Sequence, residues 1–332
     1  MDKNIAVIGC GYWGKNLVRN FAELGALNTI CDSDPKILNR LGPLYPNIKK
    51  ETNIDAVLSN NEVKGIVIAL PAASHYPIAK KALLAGKDIF VEKPLTSNSA
   101  EAAELVEIAE KRKQVLMVGH LMLYHPAVHI LKRHIKAGEL GKIYYLYSTR
   151  VNLGQVRRDE SALWRLAPHD ISLFLYLLES VPEVVSAQGI SYVQPNLEDV
   201  VFITLKFPEK VLAHIHASWL DPHKIRQLTV VGSKKMAVFD DMEPEHKLRI
   251  YDQGVVEDYN KLASLSGALS LRSEGVFLPR VDLAEPLSLE CRHFLDCIEK
   301  RAKPISDGKQ GFEVVRVLEN IEQTIRNRAA KP

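Results

Sequence analysis

The chain has 332 residues, 46% of them hydrophobic, with 43 Lys and Arg against 40 Asp and Glu and a net charge of +3. That length suits one large or two ordinary domains, and the composition is that of a globular chain with a sizeable core. The absence of a basic run argues against nucleic acid. No apolar stretch is long enough to span a bilayer, and four cysteines without a Cys-x-x-Cys pair argue against a disulfide framework or zinc.

Taken in chain order, Ile5-Ala6-Val7-Ile8 reads as a buried strand. It breaks into Gly9-x-Gly11-x-x-Gly14 and then a helical pattern at Trp13, Leu17, Phe21 and Leu24. This is the setting the dinucleotide fingerprint requires. Gly9 permits the tight turn, Gly11 lets backbone approach a pyrophosphate, and Gly14 lets helix and strand pack closely. Tyr12 and Trp13 lie in the same turn and are candidate cofactor contacts. A second strand, Leu27 to Cys31, ends at Asp32, where a carboxylate suits ribose hydroxyls and repels a 2′-phosphate. Ser33 follows instead of Arg, so the reading is NAD over NADP.

Gly65 to Leu70 is the next apolar strand, closed by Pro71, and residues 75–85 read as helix. Asp88 to Glu92 is a strand closed by Pro94. Ser97 is expected to cap a helix running through Lys111, and Val115 to Gly119 is a sixth strand. Strands apolar throughout and separated by helices argue a parallel sheet covered on both faces. Residues 1–120 are therefore expected to form a Rossmann NAD-binding domain.

Residues 121–332 read as an α+β domain with an open, mainly antiparallel sheet. A helix from about Ala127 ends before Gly138. Ile143 to Val151 alternates aromatic and polar residues, and Tyr144, Tyr145 and Tyr147 are expected to pack on the sheet. A polar loop leads to a helix from about Pro168 to Leu178. Runs at 184–192, 200–207, 211–219, 227–231 and 237–240 suggest an antiparallel meander. Residues 253–284 read as a long loop, and helices over about 286–300 and 309–327 close the chain.

Ligands bind at the carboxyl ends of strands in open α/β sheets. That draws together the glycine turn, the segment Leu70, Pro71, Ser74 and His75, and Glu92-Lys93-Pro94, with His120 after the sixth strand. Lys93 suits stabilisation of a developing alkoxide; a solvated surface lysine is the plain alternative. His169, following Pro168, is expected at a helix N-terminus, where the dipole favours a neutral base. Arg157, Arg158 and Arg165 suit diphosphate or carboxylate recognition. His125 and His129 have helical i,i+4 spacing, but no carboxylate joins them, and no metal site is expected.

The glycine turn, Asp32, Glu92-Lys93-Pro94 and His169 together resemble the glucose–fructose oxidoreductase / inositol dehydrogenase / MocA family, over nearly the whole chain. The resemblance implies that Lys93 and His169 are the catalytic pair. Gly11 to Asn16, with Gly119-His120 and Tyr124-His125-Pro126-Ala127, resembles a narrower group. That group oxidises the 3-hydroxyl of UDP-N-acetylglucosamine or its glucuronate before a transaminase acts, which adds Tyr124 to the expected substrate contacts. Many members carry Asp four residues before the histidine; here that residue is Arg165, so either Lys93 or His169 is the expected base.

The expected protein is a cytoplasmic, NAD-dependent UDP-sugar 3-dehydrogenase. It is expected to form a homodimer or homotetramer through the open sheet. A dehydrogenase of a free sugar or cyclitol is one alternative, and a non-catalytic NAD-binding sensor or scaffold is the other.

Overall fold

The computed structural model describes residues 4–154, 156, 158, 160–255 and 271–329. They divide into two compact units. The first comprises residues 1–124 and 284–319, the second 125–283 and 320–332.

The first unit alternates strand and helix. It contains β1 (Ile5–Ile8), α1 (Gly14–Glu23), β2 (Leu27–Cys31), α2 (Pro35–Leu41), β3 (Lys49–Glu51) and α3 (Ile54–Ser59). It continues with β4 (Gly65–Ile68), α4 (His75–Leu84), β5 (Asp88–Glu92), α5 (Ser99–Arg112) and β6 (Leu116–Gly119). The strands are parallel in the order β3-β2-β1-β4-β5-β6. Strand order therefore reverses between β1 and β4, the switch point at which such sheets open a crevice. β1, β4 and β6 are buried at every position, so their unbroken apolar runs are those of strands covered on both sides. The cap of α5 differs from the expected Ser97: Asn98 accepts from the Glu101 N–H at 2.9 Å. Asn is as good a cap as Ser, and its side chain is the one that reaches the orphan amide.

The helices α8 (Pro286–Lys300) and α9 (Gly308–Ala329) depart from the expected boundary at residue 120. Residues 284–319 belong to the first unit, and side-chain contacts give the reason. Phe294 meets Phe90 at 5.7 Å and Phe21 at 6.4 Å, both edge to face. Arg301 grips Asp88 at 2.7 and 3.0 Å, and Ser306 bonds the Val118 carbonyl at 2.6 Å. Burying a Phe of this kind is worth about 1.5–3 kcal/mol.

The second unit begins with α6 (Pro126–Lys136), β7 (Ile143–Val151) and α7 (Ala162–Leu178). β8 (Glu183–Ile190), β9 (Val200–Lys206), β10 (Leu212–Ser218), β11 (Ile225–Gly232) and β12 (Met236–Asp240) follow. β13 (Leu248–Val255) and β14 (Leu271–Phe277) complete the sheet. The order is β14-β13-β12-β11-β7-β10-β9-β8. The sheet is mainly antiparallel, as expected, but it is not a simple meander. β7 is inserted at its centre, antiparallel to β11 and parallel to β10. β13 and β14 also fall where a long loop was expected; residues 256–270 of that span lie outside the described residues.

α7 also differs from the expected helix. It starts at Ala162, six residues before Pro168, which sits inside the helix. Proline removes one backbone N–H there. Leu163, Ala167, Ile171 and Phe174 are buried, and this apolar face sustains the helix across the gap. Across β7, β9 and β10 the alternation is clear. Leu146, Ile203, Ala213 and Ile215 are buried, whereas Tyr145, Phe202 and Leu212 are 44%, 45% and 48% exposed. The Tyr145 and Tyr147 rings stack at 6.3 Å on this open face.

Candidate active site

At the switch point the chain turns from β1 into α1 with Gly9 at φ +86°. A Cβ on Gly9 would lie 2.6 Å from the Ala69 carbonyl oxygen, and one on Gly14 only 1.8 Å from the Gly9 carbonyl oxygen. Neither position tolerates a side chain. Gly11 is the opposite case: a Cβ there meets nothing within 4 Å, so its surface is open to a ligand. No side chain caps α1, and its first turn holds no acidic residue. Free amides and the dipole there suit an anion such as a pyrophosphate. Asp32 stands at the end of β2. Its Oδ2 accepts from the Cys10 N–H at 2.8 Å and its Oδ1 from the Asp34 N–H at 3.0 Å, which fixes the carboxylate beside the glycine turn. Ser33 is exposed and Tyr12 is 84% exposed.

The other strand ends converge on β5. His75 is buried, with Nδ1 2.7 Å from the Pro94 carbonyl and Nε2 2.8 Å from the Leu70 carbonyl. It ties the turn after β4 to the turn after β5 and so acts on the backbone of both. Leu70, Pro71 and Ser74 form the rim of the first of these turns. The Trp13 indole N–H donates to Glu92 Oε1 at 2.6 Å, and the Lys93 N–H donates to Oε2 at 3.3 Å. Burial pushes the Glu92 carboxyl up to about 7, against the pull of Trp13 and Lys93. His120 is buried after β6 with no partner for either ring nitrogen among the described residues. Burial, and then the nearby Lys93 charge, push its imidazole down to about 3, so it stays neutral.

Tyr124 was an expected substrate contact. In the structure it is 2% exposed, and its hydroxyl meets Ser306 Oγ at 2.8 Å. Burial raises its phenol far above the ordinary range. It is therefore part of the packing beneath α8. No sequence pattern marks Glu290 as a candidate, yet it is fully buried on α8 with no partner for either oxygen among the described residues.

In the second unit, His169 lies within α7, eight positions from the Ser161 cap. The expected dipole effect at a helix N-terminus does not apply to it, because that effect fades after the first turn. Its neighbour Asp170 is 2% exposed and pairs with Arg150 of β7, at 2.8 Å to Nε and 3.2 Å to Nη2. Asp170 thus anchors the helix and leaves His169 on the adjacent, partly exposed face. Arg165 is partly exposed and 3.5 Å from Glu160. Arg158 is exposed, and Arg157 lies outside the described residues. His125 caps α6 by accepting from the Ala127 N–H at 3.1 Å, a structural use of that histidine.

Comparison with known proteins agrees with this geometry. Residues 3–120 match the GFO_IDH_MocA model, an oxidoreductase family with an NAD-binding Rossmann fold, and residues 128–238 match the GFO/IDH/MocA C-terminal domain. The chain is 27% identical to the UDP-N-acetylglucosamine 3-dehydrogenase of Acidithiobacillus ferrooxidans over 93% of each chain. The solved structure of that enzyme superposes with a TM-score of 0.82 over 98% of each chain, at 24% identity. The scyllo-inositol 2-dehydrogenase (NAD+) of Bacillus subtilis is 25% identical over 90% of this chain and 87% of its own. The 2,7-anhydro-N-acetylneuraminate hydratase of Escherichia coli is 25% identical over 75% and 71%. With its glycine turn, Asp32 and matching models on both halves, the chain belongs to the GFO/IDH/MocA oxidoreductase family and is an NAD-binding member of it.

Proposed function

We propose that this protein oxidises the 3-hydroxyl of a UDP-N-acetylamino sugar, UDP-N-acetylglucosamine or its glucuronate, to the 3-keto sugar that a transaminase consumes. The observation that carries the reading is the full-length likeness to a UDP-N-acetylglucosamine 3-dehydrogenase, 93% of each chain. Gly9, Gly11 and Gly14 with the start of α1 would hold the cofactor pyrophosphate, and Asp32 its adenosine ribose. Bound NAD+ supplies the hydride acceptor. The residues supply the rest. Lys93, at the end of β5, would steady the oxygen as its charge develops. Lys93 or His169 would take the hydroxyl proton. Arg158 and Arg165, with Arg157, would meet the diphosphate or a sugar carboxylate. Remote binding of the nucleotide would position the ring for reaction.

A panel of UDP-sugars, free sugars and cyclitols, followed as NADH absorbance, tests the reading. Reduction of NAD+ with UDP-N-acetylglucosamine or its glucuronate, and competition by UDP, is the expected result. Turnover of a cyclitol with no effect of UDP would overturn it in favour of a free polyol substrate. A second copy is proposed to cover the open sheet face carrying Tyr145, Phe202 and Leu212, and light scattering in solution tests that.

A further inference from the structure

Glu290 has no place in the reading above, and its surroundings set it apart from every other acid described in the first unit. It lies on α8, fully buried, with both oxygens lacking a partner among the described residues. An isolated buried carboxylate is costly, so such a group takes a proton or shares one. The fold places Glu92 beside it. Glu92 follows Phe90 by two positions on β5, so the two side chains share a face of the strand. Glu290 precedes Phe294 by four positions on α8, so those two share a face of the helix. Phe90 and Phe294 meet at 5.7 Å and Arg301, at the end of α8, meets Asp88, at the start of β5, so the two elements run in opposite directions and the acids lie on the same side of the contact. Gly119 completes the wall: a Cβ there would lie 2.8 Å from Glu92 Oε2 and 3.1 Å from the Phe90 ring.

We propose that Glu92 and Glu290 form a neighbouring carboxyl pair that holds one proton at neutral pH, which stays on Glu290 and leaves Glu92 to carry the charge next to Lys93. The donors decide which acid ionises. Glu92 receives the Trp13 and Lys93 N–H groups, whereas Glu290 receives none among the described residues. Glu92 is thus the acid that ionises first, and Glu290 keeps the proton. Burial and the Glu92 charge both push Glu290 far above the ordinary carboxyl range. The other titratable groups facing the pair are Lys93 and His120 on the Glu92 side, and Tyr124 and Cys291 on the Glu290 side. Burial keeps His120, Tyr124 and Cys291 neutral at neutral pH, so Lys93 is the one cation among these groups. The pair then presents a single negative charge to it, and a second proton or a second charge would each disturb that balance. This role in turnover rests on Lys93 acting as proposed above; the shared proton itself does not.

The test uses the full-length protein without sugar, so it stands whether or not a UDP-sugar is turned over. Infrared titration of the unmodified protein should show a protonated-carboxyl band persisting at neutral pH and above, and Glu290→Gln should remove it. Trp13 reports from the other side, because its indole N–H donates to Glu92. The difference in fluorescence between the unmodified protein and Trp13→Phe should titrate near neutral pH. In Glu290→Gln that midpoint should stay within about half a unit, since a neutral amide replaces a neutral acid. If a substrate is in hand, the acid limb of kcat/KM should likewise stay in place. The absence of a protonated-carboxyl band at neutral pH in the unmodified protein overturns the proposal. So does a Trp13 midpoint that Glu290→Gln lowers by about one unit or more, which would mean that Glu290 carried a charge beside Glu92. Should Glu290→Gln not fold, the titration of the unmodified protein decides alone.

Discussion

In the turn after β1, one added methyl on Gly14 would stand 1.8 Å from the Gly9 carbonyl oxygen. In α7, the partly exposed His169 is held by a helix whose next residue grips Arg150, twenty positions back on β7. The tightest contact of the first region lies within the turn itself. The second depends on a pair that only the folded sheet brings together. The first should therefore be brittle to single atoms and indifferent to distant change. The second should tolerate local change and fail when its remote anchor is cut.

The largest expected effect breaks that anchor. Asp170→Asn leaves the Arg150 charge buried and half-partnered, and removing one member of such a pair costs about 3–5 kcal/mol. Urea unfolding should show it; a loss below about 1 kcal/mol would mean the apolar face of α7 suffices. Next, Lys93→Met should lower turnover by a factor on the order of 10²–10³ while NAD affinity stays within about tenfold. Near-normal turnover would return Lys93 to the solvated surface. Gly14→Ala should cost about 1–3 kcal/mol through overpacking and abolish NAD binding measured by calorimetry. Retained binding would show that the turn relaxes more easily than its contacts imply. Asp32→Ala should weaken NAD by about 1.5 kcal/mol, roughly tenfold, and narrow the gap to NADP. Tighter binding of NADP than NAD by the unmodified protein would refute the role given to Asp32.

Acidity draws the same contrast. The fold favours protonated Glu92, whose carboxyl is raised to about 7. Its contribution to stability is complete below the unfolded carboxyl range, near 4.3, and is lost as pH rises through about 7. Melting temperature should therefore fall between mildly acidic and mildly alkaline buffer, and Glu290→Gln should flatten that fall, because Glu290 is itself raised far above the ordinary carboxyl range and adds to it. An equal slope in both proteins would remove the pair as its source.

How much of this was legible follows the same division. The glycine turn, Asp32, the unbroken apolar strands of the first sheet and Glu92-Lys93-Pro94 could be read because each is a short-range pattern with a fixed consequence. Pro168 misled because proline is favoured at a helix start; the six apolar or amphipathic residues from Ala162 to Ala167 overrode that preference once their face was buried. The central place of β7 could not be read, since nothing in Ile143 to Val151 says which later strands will flank it. Glu290 was invisible for a simpler reason: an isolated Glu on an amphipathic helix reads as solvated until the packing of Phe294 shows which way its turn faces.

The return of α8 to the first unit has a consequence for the chain as it is made. Phe21 and Phe90 are synthesised early, yet their cover, Phe294, comes some two hundred residues later. β7 likewise waits for β10 and β11 before either of its edges is paired. A nascent chain halted short of Pro286 therefore carries an uncapped aromatic patch on its first sheet. Domains usually fold in order of synthesis; in this chain the first to begin is among the last to close, and residues 284–319 act as a seal on the work of the first hundred.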